Sequence, residues 1–247
     1  VFQYGDDNKG TQSTKGDLNT TEIKQKGDLH QALQTQKGDK NKTVSVNGIH
    51  FVANKMVTDQ KQEGDQNVSR FEMQRGYFSK GESEQKGDKN HNFLRVRGDR
   101  NLAMVYQKGN KQKVDVRQFG DRNKADVDQV GDDNVVKYDG RTQDYGYGSG
   151  NVGDAGILQI GNYNYSEVLQ SGDRNLAVND QEGDYNDAFI TTLGDDNTAK
   201  VMQANGGGVT PSNNYGMVYQ KGDDNTAKID QFNHRNKAWA TCKFIQS

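Results

Sequence analysis

Little in this sequence could build an ordinary globular core. Only 30% of its 247 residues are hydrophobic and the mean hydropathy is -1.09, as in chains too polar to order by apolar burial. A lone cysteine, Cys242, excludes an internal disulfide and a multi-cysteine zinc cluster, and reads as an incidental thiol. Four scattered histidines, His30, His50, His91 and His234, give no metal-ligand spacing. No apolar run approaches the roughly 20 residues of a membrane-spanning helix, so membrane insertion is not expected. Nor does one sign of charge dominate: 32 basic and 34 acidic residues alternate along the chain. That mixture removes the basic stripe that nucleic acid or anionic lipid would need. No signal peptide heads the chain, and a start at Val1 is what a processed, mature form would show.

What the sequence has is a repeat. Gly87, Gly98, Gly109, Gly120 and Gly131 lie 11 residues apart, as do Gly161, Gly172, Gly183 and Gly194. Most are followed by Asp, and then by Asn three residues after the glycine. With the glycine as position 0, Gln recurs at -2, for example Gln25, Gln107, Gln118, Gln129, Gln170, Gln181, Gln220 and Gln231. Asn recurs at +3, for example Asn8, Asn19, Asn123, Asn134, Asn175, Asn186, Asn197, Asn225 and Asn236. Position +5 is often alanine and +7 β-branched or apolar, as in Ala177 and Val201.

Because -2 of one unit is +9 of the unit before, these positions are all odd, and a strand sends them to one face. That face is predicted to point inward, while the even positions, such as Lys124, Asp126 and Asp128, face water. The Gly-Asp-x segment supplies the reversal. The candidate turn pairs are Gly120-Asp121, Gly131-Asp132, Gly172-Asp173, Gly183-Asp184 and Gly194-Asp195, whose like charges are expected to slow self-association. Two 11-residue units facing each other make a 22-residue rung, and stacked rungs bury one another. The expectation is an all-β, two-sheet solenoid of about 10 rungs with cross-β stacking, on the order of 50 Å long. Inward amides would stack Asn over Asn and Gln over Gln, which lets so polar a chain order.

Three longer gaps between glycines are read as insertions in a single 1–247 domain, near 47–56, 139–149 and 204–210. In this reading Gly150 and Pro211 open degenerate units, the first with Ala155, Ile157 and Gln159 in place.

The segments Gln170-Ser-Gly172-Asp173-Arg-Asn175-Leu-Ala177 and Gln220-Lys-Gly222-Asp223-Asp-Asn225-Thr-Ala227, each followed by Gln181 or Gln231, resemble the curlin repeat of bacterial curli subunits. The resemblance runs from Gln3 to about Ala240. It implies a secreted functional amyloid on the surface of a Gram-negative bacterium, which polymerises with itself in biofilm matrix. Its implied partners are a nucleator subunit and an outer-membrane secretion channel. The family's second glycine, at +2, is replaced here by residues such as Asp133, Arg174, Tyr185 and Asp224.

Candidate sites follow. The polymerisation interface is expected on the terminal rungs, at Gln3, Asn8, Asn19, Gln25, Gln220, Asn225, Gln231 and Asn236. The ladder core is assigned to Gln107, Gln118, Asn123, Gln129, Asn134, Gln170, Asn175, Gln181, Asn186 and Asn197. No catalytic constellation, cofactor or metal is expected: carboxylates are everywhere, and Gly206-Gly207-Gly208 lacks the lysine of a phosphate loop. One Asp per turn supplies too few oxygens for a calcium cage. Arg97-Gly98-Asp99 reads as a turn variant, and Tyr138, Tyr145, Tyr147, Tyr163 and Tyr165 as a Gly/Tyr-rich loop packing on the rod. The competing class is a monomeric secreted solenoid that binds calcium, glycan or ice, or a segment of a phage or adhesin fibre.

Overall fold

Alternating inward and outward side chains, punctuated by left-handed turns, wind the chain into a two-sheet β-solenoid. The structure is a computed structural model that describes residues 1–48, 53–74, 76–136, 156–204, 213–232 and 235–243. One sheet stacks β1 (Phe2–Tyr4), β3 (Thr20–Lys26), β5 (Lys42–Asn47), β8 (Val68–Gln74), β11 (His91–Arg97), β13 (Lys113–Phe119), β15 (Val135–Val136) with β16 (Ile157–Ile160), β18 (Leu176–Glu182), β20 (Thr198–Ala204) and β22 (Thr226–Phe232). The other stacks β2 (Lys9–Lys15), β4 (Gln31–Lys37), β7 (Val57–Glu63), β10 (Lys80–Lys86), β12 (Leu102–Lys108), β14 (Lys124–Val130), β17 (Tyr165–Ser171), β19 (Asp187–Leu193), β21 (Tyr215–Lys221) and β23 (Lys237–Lys243). A short pair, β6 (Ala53–Asn54) and β9 (Gly76–Tyr77), links two turns. Successive chain strands alternate between sheets, and the main-sheet pairings are parallel and in register, as in Ala103↔Ala125 and Gln107↔Gln129. The rod is thus ten levels long.

Burial follows the predicted period of two. Strand β14 reads half-buried, buried, half-buried in strict alternation, and Ala125, Val127 and Gln129 are all fully buried. Turns are equally regular. Gly at 0 has positive φ throughout the repeat, and position +2 is left-handed too, from Asp7 at 54° to Arg235 at 58°. The missing second glycine of the curlin pattern therefore falls on a site that only the backbone's neighbours, not its own preference, hold in place.

Two departures from the sequence expectation concern register. Ile157 and Gln159 pair with Val116 and Gln118, while Val135 and Val136 pair with Lys113 and Val114 of the same strand. The unit opened by Gly131 is therefore one strand position supplied in two pieces, and Ile157 and Gln159 are its +7 and +9 residues. They do not belong to a further unit opened at Gly150. Gly150 itself, Ala155, and the expected insertion at 139–149 lie outside the described residues, as do 49–52 and 205–210 of the other two. Asn213 and Asn214 do occupy the +2 and +3 places of the unit counted from Pro211.

The interior is also graded along the rod. At +7 the second sheet begins with Gln12, Gln34 and Gln60, whose amides form a ladder at 3.2 and 2.9 Å. Ser45, Thr58 and Ser69 complete this polar interior. From Met56 and Phe71 onward the core is a continuous apolar cluster that runs to Ile229. Side chains facing each other across so narrow a slab must match, so the polar +7 column is accompanied by polar residues on the opposite sheet.

Candidate functional site: directional polar ladders and the two end faces

Three side-chain types repeat the same bonds at level after level. Glutamine at +9 donates from Nε2 to the Gln Oε1 one level toward the C-terminus: Gln85 to Gln107 at 2.8 Å, Gln107 to Gln129 at 3.0 Å, and Gln129 to Gln170 at 2.8 Å. Its second N–H reaches across the core to a strand-opening carbonyl of the opposite sheet, as Gln181 to Tyr165 O at 2.9 Å. In the first sheet the same ladder runs Gln118, Gln159, Gln181, Gln203, Gln231, at 2.8 to 3.0 Å. It is interrupted earlier, where Asn47, Met73 and Val96 occupy the register.

Asparagine at +3 behaves differently from the Asn-over-Asn stacking expected. Its Nδ2 donates to the turn-glycine carbonyl of the next level, Asn123 to Gly161 O and Asn134 to Gly172 O, both at 2.7 Å. Its Oδ1 accepts the backbone N–H of the next level's +3 residue, as from Asn175 N at 3.0 Å. Direct amide–amide bonds, such as Asn186 to Asn164 at 3.1 Å, are secondary. The reason is geometric: a short side chain beside a turn reaches backbone more readily than its own image about 4.8 Å away.

Aspartate at +1 is more than a solvated turn residue. Each carboxylate accepts the backbone N–H of the +1 residue one level toward the N-terminus: Asp132 N to Asp173 Oδ1 at 2.8 Å, Asp173 N to Asp195 Oδ1 at 2.9 Å. Asp121 and Asp184 do the same for Asp99 and Asn162, each at 2.7 Å. Charge-assisted bonds to N–H groups hold the Asp column together against its own repulsion. The turn at Gly98-Asp99 is a regular member of this column, with Asp99 accepting from Tyr77 N.

All ten ladder-core residues are buried, and all ten proposed turn residues sit in such turns. The interface residues are divided. Gln3, Asn8, Asn225, Gln231 and Asn236 lie on the outermost strands or the turns leading into them, whereas Asn19, Gln25 and Gln220 are one level further in. Beyond Gln220 the register is taken by Cys242 of β23. At the last level Asn236 folds its Nδ2 onto Phe232 O at 2.7 Å. At the first, Gln3 is exposed and already donates to Gln25 at 2.7 Å.

Outward positions carry features that the repeat alone did not reveal. Tyr165, Phe189, Tyr215 and Trp239 form a zigzag of ring contacts over four levels, with centroids 5.3, 5.4 and 6.0 Å apart. Tyr163 and Tyr185, both at +2, stack at 4.7 Å. Tyr138, Tyr145 and Tyr147 lie outside the described residues. Burial pushes the carboxyls of Asp59, Asp126, Asp128 and Asp187 above the usual range. Among the described residues no group of three or more His, Cys, Asp or Glu is placed to hold a metal ion.

Comparison with known families matches residues 113–137 and 172–204 to the curlin associated repeat. These stretches contain β13 and β14, and β18 to β20, and the same bonds continue on both sides of them. Comparison with curated proteins returns no match.

Proposed function

From the premise that this is a curlin-repeat protein, we propose that it is a self-assembling structural subunit of a curli-like extracellular fibre, and that copies join end to end. The observation that carries this reading is the single direction of the ladders. Toward the C-terminus most levels offer Gln Nε2, Asn Nδ2 and the +1 N–H. Toward the N-terminus they offer Gln Oε1, the glycine carbonyl and the Asp carboxylate. A level from another copy therefore meets the same donors and acceptors as a level of the same chain, and a contact between unlike faces propagates without closing. By register Gln231 would donate to Gln3 of the next copy, Asn236 would reach its Gly5 carbonyl, and exposed Phe232 would face its exposed Tyr4. The interface set is Gln3, Asn8, Asn19, Gln25, Gln220, Asn225, Gln231 and Asn236, with the outermost residues making the bonds. The family reading adds a biofilm and adhesion role outside a Gram-negative cell, with export through an outer-membrane channel and seeding by a nucleator subunit. It is a structural role, not an enzymatic one.

Seeded elongation tests it. Replacing Gln231 and Asn236 by Ala removes about 1 kcal/mol per bond at the junction, so elongation should slow by roughly tenfold or more, with only a modest fall in the unfolding midpoint from the intrachain bonds of Gln231 to Gln203 and Tyr215 O. The same change at Gln129 and Asn134 should lower stability instead. Wild-type elongation by the terminal variant would disprove end stacking.

A further inference from the structure

The two flat faces of the slab do not carry the same charge. On the outside of β8, β11 and β13 stand five basic side chains, Arg70, Arg95, Arg97, Lys113 and Arg117, against two carboxylates. Both acids are sunk and engaged: the Glu72 side chain is 8% exposed and pairs with Arg95 at 3.0 Å and with Arg70, and Asp115 pairs with Arg117 at 3.0 Å. Arg70 remains 54% exposed, and Lys113 is exposed. His91 beside them is held toward its neutral form by burial and by Lys113. Phe93 lies in the middle, with the guanidinium carbons of Arg70, Arg95 and Arg117 5.5 to 5.9 Å from its ring centroid.

The opposite face is acidic. On β14, β17 and β19 the outward side chains include Asp126, Asp128, Glu167 and Asp187, with Lys124 the one base among them. Lys124 lies over the Tyr165 ring at 4.9 Å. Glu167 accepts only the Tyr165 hydroxyl at 2.7 Å. Among the described residues none of these four carboxylates is in an ion pair. Burial is the first cause of the raised carboxyls of Asp126, Asp128 and Asp187, and at Asp126 it outweighs the nearby charge of Lys124.

We propose that the basic face of β8, β11 and β13 on one rod docks on the acidic face of β14, β17 and β19 on a second copy, bundling rods side by side. The two patches are level-built, so their charges repeat along the axis with the same spacing of about 4.8 Å and mesh with a stagger of two levels. The contact is heterologous and propagates into layers. It uses outward residues only and is independent of end stacking.

The test compares wild type with Arg70→Glu/Lys113→Glu and with Asp126→Lys/Glu167→Lys. Rod width is read by negative-stain microscopy and light scattering, and rod length and β-sheet circular dichroism serve as controls. At about 20 mM salt wild type should form wide bundles that disperse near 500 mM, where the screening length falls to about 4 Å. Each reversed variant alone should give single rods of wild-type length, and an equal mixture of the two should bundle again, since one is then acidic on both faces and the other basic on both. Should a reversal prevent folding, the neutral Arg70→Gln and Glu167→Gln variants should each narrow the bundles. Undiminished bundling in both reversed variants overturns the proposal. So does bundling that Tyr215→Ser/Trp239→Ser abolishes while charge reversal does not, which would assign the lateral contact to the aromatic zigzag. Bundles that a chelator dissolves and basic-face reversal leaves intact would assign it to a bridging cation.

Discussion

The same substitution, Gly to Ala, should act with opposite sign at two places in this rod. Gly172 sits at φ +110°, a region that side chains rarely enter, and a Cβ there would lie 2.3 Å from the Gly194 carbonyl oxygen of the next level and 2.9 Å from Asp195 Oδ1. That oxygen is backbone in a stacked turn and already accepts from Asn175 Nδ2 at 2.7 Å. Strain of the backbone contributes about 1–3 kcal/mol and loss of the bond about 1 kcal/mol. The stiffer unfolded chain returns about half a kcal/mol, so Gly172→Ala should destabilise by about 1.5–3.5 kcal/mol. Gly10 stands at +5, where the next level has Ala32 in register. Its φ is not positive, and a Cβ would meet Val1 Cγ1 at 3.0 Å and Gln3 Nε2 at 3.3 Å, both ends of movable side chains. Gly10→Ala should therefore stabilise by about 0.4–1 kcal/mol. Urea unfolding of dilute protein followed by circular dichroism measures both. Shifts of the same sign, or a Gly172→Ala midpoint indistinguishable from wild type, would refute the stacked-turn reasoning.

Further outcomes are expected from the inside–outside division and from charge. Ala177→Lys buries an unpaired ammonium at a fully buried site and should cost several kcal/mol, whereas Lys228→Glu, at a 56% exposed residue paired with Asp230, should cost under about 1 kcal/mol; equal unfolding midpoints would contradict the face assignment. Because burial raises the folded-state carboxyls of Asp126, Asp128 and Asp187, the fold holds more protons than the unfolded chain between the ordinary Asp value and the raised ones, and their contribution becomes less favourable as pH rises through that window. The triple Asn variant should thus be more stable than wild type at pH 7 and show a flatter pH profile above about 4, where Glu22 and Glu84, held low by Lys24 and Lys86, still contribute. At +2, Leu18 is 77% exposed with φ 56°, so Leu18→Gly should stabilise by about 0.5–1 kcal/mol after the entropy of glycine is set against the relieved strain, read as a modest rise in the thermal midpoint; a fall would show that the turn carries no strain.

Fold class was legible because the period of two and the period of 11 are properties of the sequence alone, and each glycine–asparagine pair reports its own register. Gln85, Gln107 and Gln129 could be placed over one another before any coordinates, since stacking is forced by the 22 residues between them, whereas Gln170 above Gln129 lies across the insertion and needed the structure. The direction of the ladders was not legible. Whether Asn123 bonds Asn164 or Gly161 depends on reach, side chain against turn backbone, and composition does not encode it. The split strand at Val135–Val136 and Ile157–Ile160 was misread because an insertion longer than 11 residues leaves room to count a whole unit inside it. The charged faces escaped notice for a simpler reason: alternate strands go to opposite sheets, so Asp126 and Arg117 are nine residues apart in sequence yet face opposite ways out of the rod.

The interior and exterior of this rod divide specificity between them. Inside, Gln over Gln and Asn over glycine carbonyl fix register and direction, but they do so identically at most levels, so they accept any correctly oriented copy. Such ladders tolerate a polar core at Gln34 and Gln60 as readily as an apolar one at Val127 and Val168, because most buried amides are bonded along the axis. What differs from level to level is the outward set: arginine around Phe93, carboxylates around Glu167, rings from Tyr165 to Trp239. Repetition therefore governs growth along the axis, and the non-repeating surface governs what the rod meets sideways. A sequence selected on both would keep its odd positions monotonous and let its even positions diversify, which is the pattern seen from Gly87 to Leu193.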